Sequence, residues 1–118
     1  MIMDAVQKKT EQRLKDLQEL KRQMNSGTFP NISKRTLKVG DWGVEFKFDS
    51  SDGNKTGTVT ALFKTPIKTE TIAKTTYGGG RGQYNNMANA AFAAMDKLEM
   101  RIDKEIAFFK KPISSFFD

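Results

Sequence analysis

Hydrophobic residues near the beginning of the chain recur at the spacing of a helix. Between Met3 and Asn25 the apolar positions fall near one stripe: Val6, Leu14, Leu17 and Met24. Asp4 can cap the first turn, and Gly27 followed by Pro30 ends the pattern. The sequence therefore predicts an amphipathic helix whose stripe packs against a core.

From Ile32 to Tyr77 the apolar period changes to two residues, which is typical of strands. The clearest alternating run places four apolar residues on one side: Trp42, Val44, Phe46 and Phe48. A polar turn over 49–54 leads into a return strand over 55–64, and Pro66 separates a further strand over about 68–76 that we expect at an edge. The pattern predicts an antiparallel meander of three or four strands. One face is apolar, and the other is rich in threonine and lysine.

A glycine-rich segment over 77–84 leads into the longest predicted helix, from about Asn85 to Lys110. The helix has a first half rich in alanine, which suits close packing on a sheet. We therefore predict an α+β fold in the order α-β-β-β(β)-α, with both helices on one face of the sheet and the other face open. We expect a single domain over 1–111, followed by an aromatic tail over 112–118.

The missing residue types narrow the possible chemistry. The chain has no histidine and no cysteine, so it has no imidazole base, no thiolate nucleophile and no ordinary zinc site. We therefore predict a non-enzymatic protein with no catalytic residues, no cofactor and no metal. The lack of cysteine, of a long apolar run and of a signal-peptide pattern favours a cytoplasmic protein without a membrane partner.

Charge indicates what such a protein binds. Lys and Arg number 20 against 14 acidic residues, a formal net charge of +6. A basic domain attracts polyanions. Eight basic residues decorate the predicted strands and turns: Lys34, Arg35, Lys38, Lys47, Lys55, Lys64, Lys68 and Lys74. We take Lys64, Lys68 and Lys74 as candidate nucleic-acid contacts; the alternative is a solvated face that serves solubility alone.

The glycine-rich segment is a second candidate contact for nucleic acid. A glycine run before a helix, here Gly78-Gly79-Gly80, frees backbone N–H groups at the positive end of the helix dipole, which suits a phosphate. The neighbouring side chains offer a guanidinium fork, two rings that can stack on a base, and neutral groups that can read sugar or base edges: Arg81, Tyr77, Tyr84, Asn85, Asn86 and Asn89. The alternative is a connection whose glycines only permit the turn.

This order of elements, with a glycine-rich loop leading into an alanine-rich helix, resembles the double-stranded-RNA-binding domain. The matching stretch runs from Gly78 to Ala91, although Asn85, Asn86 and Asn89 stand where that family has lysines. The resemblance implies that the beginning of the last helix contacts RNA phosphates across the major groove. It also implies that the first helix and the first hairpin loop contact adjacent minor grooves through 2′-hydroxyls. On the first helix we take Lys8 and Arg13 as candidate contacts.

The aromatic residues at the end of the chain point to a different class of function. Four of them are not easily placed in the core, namely Phe108, Phe109, Phe116 and Phe117. They either fold back over the sheet or bind a protein partner or a second copy of the chain. Our leading prediction is RNA binding, with double-stranded RNA before DNA. The alternative is a small phage-type accessory or anti-defence protein that inhibits a host protein or sequesters a small nucleotide.

Overall fold

The computed structural model describes residues 2–25, 29, 34–50, 56–78 and 83–110. Two helices flank four strands along the chain. The elements are α1 (Ile2–Met24), β1 (Thr36–Val39), β2 (Trp42–Asp49), β3 (Gly57–Lys64), β4 (Thr69–Tyr77) and α2 (Gln83–Lys110). The polar turn predicted between β2 and β3 lies mostly outside the described residues.

The four strands form one antiparallel sheet in the order β1-β2-β3-β4. The register places Val44 opposite Phe63 and Phe46 opposite Ala61. Because side chains alternate between the faces of a sheet, this register gathers the apolar residues of neighbouring strands on one face. The predicted α+β fold is confirmed, and the sheet has four strands, within the predicted three or four.

Both helices pack on that apolar face and share one core with it. The core combines residues of α1, the strands and α2, among them Leu17, Leu20, Val44, Phe46, Val59, Phe63, Leu98 and Ile102. Trp42 stacks on Phe63 with ring centroids 5.6 Å apart, and its Nε1 donates a hydrogen bond to the carbonyl of Arg13 at 3.0 Å. Trp42, Phe46 and Phe63 are buried in this core, and Phe48 is half-buried against it.

Small side chains let α2 lie close to the sheet, as its sequence predicts. Ala90, Ala91 and Ala94 are buried, and the hydroxyl of Thr75 on β4 donates to the carbonyl of Ala90 at 2.7 Å. Further along the helix, Asp103 receives a hydrogen bond from Lys21 of α1 at 2.6 Å. The two helices therefore form one layer over the sheet. Within the described part of the chain, neither helix combines the length and the apolar character needed to cross a membrane.

The strand β4 changes its facing partway along because of a bulge. Ala61 pairs with Ala73 but Leu62 pairs with Thr71, so Ile72 is an extra residue in β4. Beyond the bulge, Glu70 lies opposite the core residue Phe63 and therefore faces the helices. The bulge thus directs a carboxylate towards α2 and leaves Thr71 and Thr69 on the opposite face.

Candidate nucleic-acid interface

The face of the sheet opposite the two helices, which we call the open face, is formed by outward side chains of all four strands. The register assigns to it threonines, four lysines, two acids, a glycine and a leucine: Thr36, Lys38, Gly43, Glu45, Lys47, Asp49, Thr58, Thr60, Leu62, Lys64, Thr69, Thr71, Lys74 and Thr76. The four lysines are all exposed. The predicted face rich in threonine and lysine is therefore present and is not covered by either helix.

The four lysines lie in two pairs. Lys38 and Lys64 flank Gly43 across three strands, and a Cβ on Gly43 would lie 3.6 Å from the Cβ and Cδ of Lys64. The aliphatic part of Lys64 therefore covers the glycine, which is buried although it lies on the open face.

Lys47 and Lys74 form the second pair and flank Thr60 in the same way. Thr60 is only 8% exposed. Strands lie about 4.8 Å apart, so the members of each pair are separated by roughly 10 Å, and the two pairs by about 13 Å along the strands. The pairs place four lysines on one face of the sheet, spread over a distance that suits several phosphates more than a single small anion.

The open face is basic, and it lacks aromatic side chains among its described residues. Four lysines stand against Glu45 and Asp49, which gives 4 − 2 = +2. Single-stranded nucleic acids are usually held by aromatic rings that stack on bases. A face of lysines and threonines instead contacts backbone groups, namely phosphates and sugar hydroxyls.

One end of the open face has a shallow depression that gathers further positive charge. It has a volume of about 360 Å³ and is lined by the β1–β2 and β3–β4 turns and their flanking lysines: Lys38, Gly40, Asp41, Lys64, Thr65, Pro66, Ile67, Lys68 and Thr69. The predicted contacts Lys64 and Lys68 therefore share one surface with Lys38. Apolar and polar residues alternate along β1 and β2, and this pattern already places Lys38 and Lys47 on the polar face. Both lysines could therefore have been predicted as nucleic-acid contacts.

A second group of predicted residues lines an open groove between β4 and the beginning of α2. Lys74, Tyr77, Asn86 and Asn89 all border this groove, whose volume is about 590 Å³. Asn86 donates from Nδ2 to the carbonyl of Gly78 at 3.1 Å and so ties the helix to the end of β4. Asn89 is exposed and is the neutral side chain of this group most open to a ligand.

Tyr77 is buried, contrary to the prediction that its ring stacks on a base. Its ring is 5% exposed and belongs to the core, so it is not accessible for stacking on a base. The ring fits there because Gly57 lies opposite it in β3, where a Cβ would come 2.6 Å from the tyrosine hydroxyl. That hydroxyl is buried and has no hydrogen-bond partner among the described residues.

The other predicted contacts are not brought to the open face. Lys8 is exposed on α1, in the layer on the far side of the sheet. Arg13 also lies on α1, and its Nε is 4.0 Å from Asp41 Oδ2 in the β1–β2 turn. Gly80 and Arg81, and the side chains of Tyr84 and Asn85, lie outside the described residues.

A cleft of about 400 Å³ lies at the same end of the molecule, on the side of the helices. Its lining combines apolar and charged residues: Arg13, Trp42, Thr65, Pro66, Ile67, Lys68, Glu70, Arg101, Glu105, Phe108 and Phe109. Phe109 packs edge-on against Trp42 at 5.8 Å, whereas Phe108 is 49% exposed. Phe116 and Phe117, predicted to act with them, lie outside the described residues.

Arg101 is the central charge of this cleft, but it is already bound by the protein itself. It contacts Glu70 Oε2 at 2.9 Å and Glu105 Oε1 at 2.8 Å, and its guanidinium lies 5.4 Å from the centroid of the Phe63 ring. Burial alone would lower the pKa of Arg101, but its hydrogen bonds to the two carboxylates and their negative charge outweigh burial and raise it. Arg101 therefore serves the fold and is not a free anion-binding group.

Neither a metal centre nor a family assignment adds to this picture. Within the described residues, no group of three or more acidic side chains is arranged to hold a metal ion. Comparison of the chain with protein-family models, with curated proteins and with solved structures gives no match.

Proposed function

We propose that this chain is a non-enzymatic, sequence-tolerant nucleic-acid-binding protein whose preferred ligand is double-stranded RNA. The observation that carries the proposal is the open face, where four exposed lysines and six threonines lie on one sheet surface that the helices leave uncovered. The chemistry of this face fits the sugar-phosphate backbone and offers little that reads bases.

A duplex is preferred over a single strand because the open face has no described aromatic side chain. Unstacked bases would gain nothing there, whereas a duplex presents its phosphates on the outside. The choice of RNA over DNA rests on the threonines that surround the lysine pairs. Their hydroxyls can donate to and accept from a 2′-hydroxyl, the group that distinguishes RNA from DNA.

Counterion release gives this proposal a quantitative consequence. The open face and the adjoining turn hold five lysines in reach of a backbone: Lys38, Lys47, Lys64, Lys68 and Lys74. If all five contact phosphates, the plot of log K against log salt has a slope of about −4 to −5 for a duplex. A doubling of the salt concentration then weakens binding roughly 20-fold.

The test is fluorescence anisotropy of labelled duplex RNA, duplex DNA and single-stranded DNA with the full chain, at several salt concentrations. We expect the tightest binding for duplex RNA and a salt slope near −4. A chain that binds no nucleic acid at low salt would remove the proposal. Tightest binding to single-stranded DNA would show that the interface is not the open face as described.

A protein contact is the second candidate function, and the cleft at the end of α2 favours it. Phe108 is half-exposed there beside Ile67, which is 92% exposed. The simplest such contact is with a second copy of the chain. Sedimentation equilibrium of Phe108→Asp tests this, with Phe92→Asp as control because Phe92 is 53% exposed on α2 but does not line the cleft. A dimer that only Phe108→Asp disrupts supports the candidate, and a monomer at all concentrations contradicts it.

A further inference from the structure

The turn between β3 and β4 is held rigid by a single threonine. The backbone N–H of Thr65 donates to the carbonyl of Lys68 at 2.8 Å, and the Thr65 hydroxyl donates to the same oxygen at 3.0 Å. That hydroxyl oxygen also accepts from the backbone N–H groups of Ile67 at 3.2 Å and Lys68 at 3.0 Å. Pro66 fixes one further dihedral angle, so little freedom remains in the turn.

This rigid turn carries an apolar side chain into solvent. Ile67 is 92% exposed, more than any other large hydrophobic residue in the described part of the chain. A β-branched residue at the tip of a fixed turn loses little conformational entropy when it is buried by a ligand.

The surroundings of Ile67 are cationic. It borders the depression that contains Lys38, Lys64 and Lys68, at the end of the open face where the first lysine pair lies. A duplex lying along the open face therefore reaches this turn. An exposed apolar residue with lysines on both sides matches the chemistry of a duplex groove, which is a sugar- and base-lined surface bordered by two rows of phosphates.

We propose that Ile67 enters the minor groove of the bound duplex while Lys64 and Lys68 contact the phosphates at its borders. This inference rests on the proposed function and adds the groove and the residue that occupies it. The minor groove of duplex RNA is wide and shallow, so it admits a β-turn, whereas its major groove is too narrow for side chains to read. Ile67 contributes affinity by excluding water from sugar and base edges, and it releases no counterions.

The apolar contact of Ile67 and the phosphate contacts of the lysines respond differently to salt, so substitutions can distinguish them. Ile67→Ala is expected to weaken duplex RNA binding about five- to tenfold at every salt concentration, because buried apolar area is lost while the salt slope stays unchanged. Lys68→Gln is expected to make the slope shallower by about one. Met100→Ala is the matched control, since Met100 is 63% exposed on α2 and borders neither the depression nor the cleft, and it should bind like the wild type.

A change in the duplex gives a second readout. Inosine in place of guanine removes the amino group that guanine places in the minor groove. The wild type should bind the inosine duplex more tightly than the guanine duplex, and Ile67→Ala should not distinguish them.

Three results would overturn the inference. If the wild type binds duplex RNA and Ile67→Ala binds equally well, the groove contact is absent although the proposed function stands. If Ile67→Ala loses self-association while its RNA affinity is unchanged, the residue serves a protein contact instead. If the wild type binds no duplex, the inference and the proposed function both fail.

Discussion

Two glycines occupy positions where a Cβ would be unfavourable, one because of its backbone conformation and the other because of its neighbours. Gly40, in the β1–β2 turn, has a φ of 60°, and a Cβ there would come 2.3 Å from Oδ2 of Asp16 on α1. Gly57 lies under the ring of Tyr77, where a Cβ would also come 2.3 Å from the carbonyl oxygen of Asp49. The first allows a tight turn against a helix, and the second makes room for a core aromatic ring.

Replacing Gly40 by alanine should destabilise the protein by about 1–2 kcal/mol, because the left-handed conformation disfavours a Cβ and Asp16 must move. Urea unfolding measures the loss. Gly78→Ala is the control, since a Cβ at Gly78 meets nothing within 4 Å and its φ is not positive. Equal stability of the two variants would show that the turn is not held as described.

Glu45 is the acid closest to the centre of the open face, between the two lysine pairs. Glu45→Gln removes a charge that repels phosphates, so duplex RNA affinity should rise about two- to fivefold at low salt. Glu11→Gln makes the same change in net charge on an exposed position of α1 and should raise affinity less. Equal effects in anisotropy titrations would indicate that only the total charge matters.

At the scale of elements, one arginine joins α2 to the edge of the sheet. Arg101 bridges Glu70 of β4 and Glu105 of its own helix, and all three side chains are about three-quarters buried. The bulge at Ile72 makes this bridge possible because it turns Glu70 towards the helices. A bridge of this kind fixes the position of the helix because two carboxylates are left unpaired if the arginine is removed.

Arg101→Gln should therefore destabilise the protein by about 1–3 kcal/mol in urea unfolding, since two partly buried carboxylates lose their partner. Arg22→Gln removes an exposed arginine that pairs with Glu19 on the same helix. That control should destabilise the protein much less, because water screens this exposed ion pair. A control as destabilised as Arg101→Gln would contradict the special role of the bridge.

The end of α1 should show an unusual titration. Hydrogen bonds from Arg22 and Gln23 lower the pKa of Glu19 from 4.5 to about 2. The stabilisation from this depressed pKa is present above pH 4.5 and is lost as the pH falls towards 2. Carboxyl carbon NMR measures the pKa, which should move back towards 4.5 in Arg22→Gln; a wild-type value near 4.5 would contradict the pairing.

The elements themselves could be predicted well because their signals are local. Helical spacing predicted Met3–Asn25 and Asn85–Lys110, against Ile2–Met24 and Gln83–Lys110 in the structure. The alternation from Trp42 to Phe48 likewise predicted β2. The bulge in β4 could not be predicted, since it depends on pairing with another strand.

The candidate site could be predicted only in part for the same reason. The lysines of the strands were visible as basic residues, but the pairing of Lys38 with Lys64 across Gly43 depends on register between distant segments. The burial of Tyr77 depends on Gly57, which lies 20 residues earlier in the chain. Contacts over such sequence distances are set by packing of the whole sheet.

At the scale of the whole molecule, the two faces of the one sheet differ in chemistry. The face under the helices contains the apolar core, and the open face carries four exposed lysines. The net charge of +6 alone would attract polyanions to any part of the surface. The central claim is that binding depends on where the lysines lie and not only on their number.

The measurement that tests this claim most directly compares two triple variants with the same net charge. Lys38, Lys64 and Lys74 are changed to Glu on the open face, and Lys9, Lys15 and Lys97, which are exposed on the helices, are changed to Glu in the control. Each variant takes the formal charge from +6 to 6 − 6 = 0. Circular dichroism checks the folding of both, and anisotropy with duplex RNA measures binding.

The open-face variant should lose duplex binding, whereas the control should keep a steep salt slope and lose only part of its affinity. Equal losses of affinity in the two variants would contradict the claim and show that binding depends on the total charge alone. Retained binding in the open-face variant would place the interface elsewhere on the molecule.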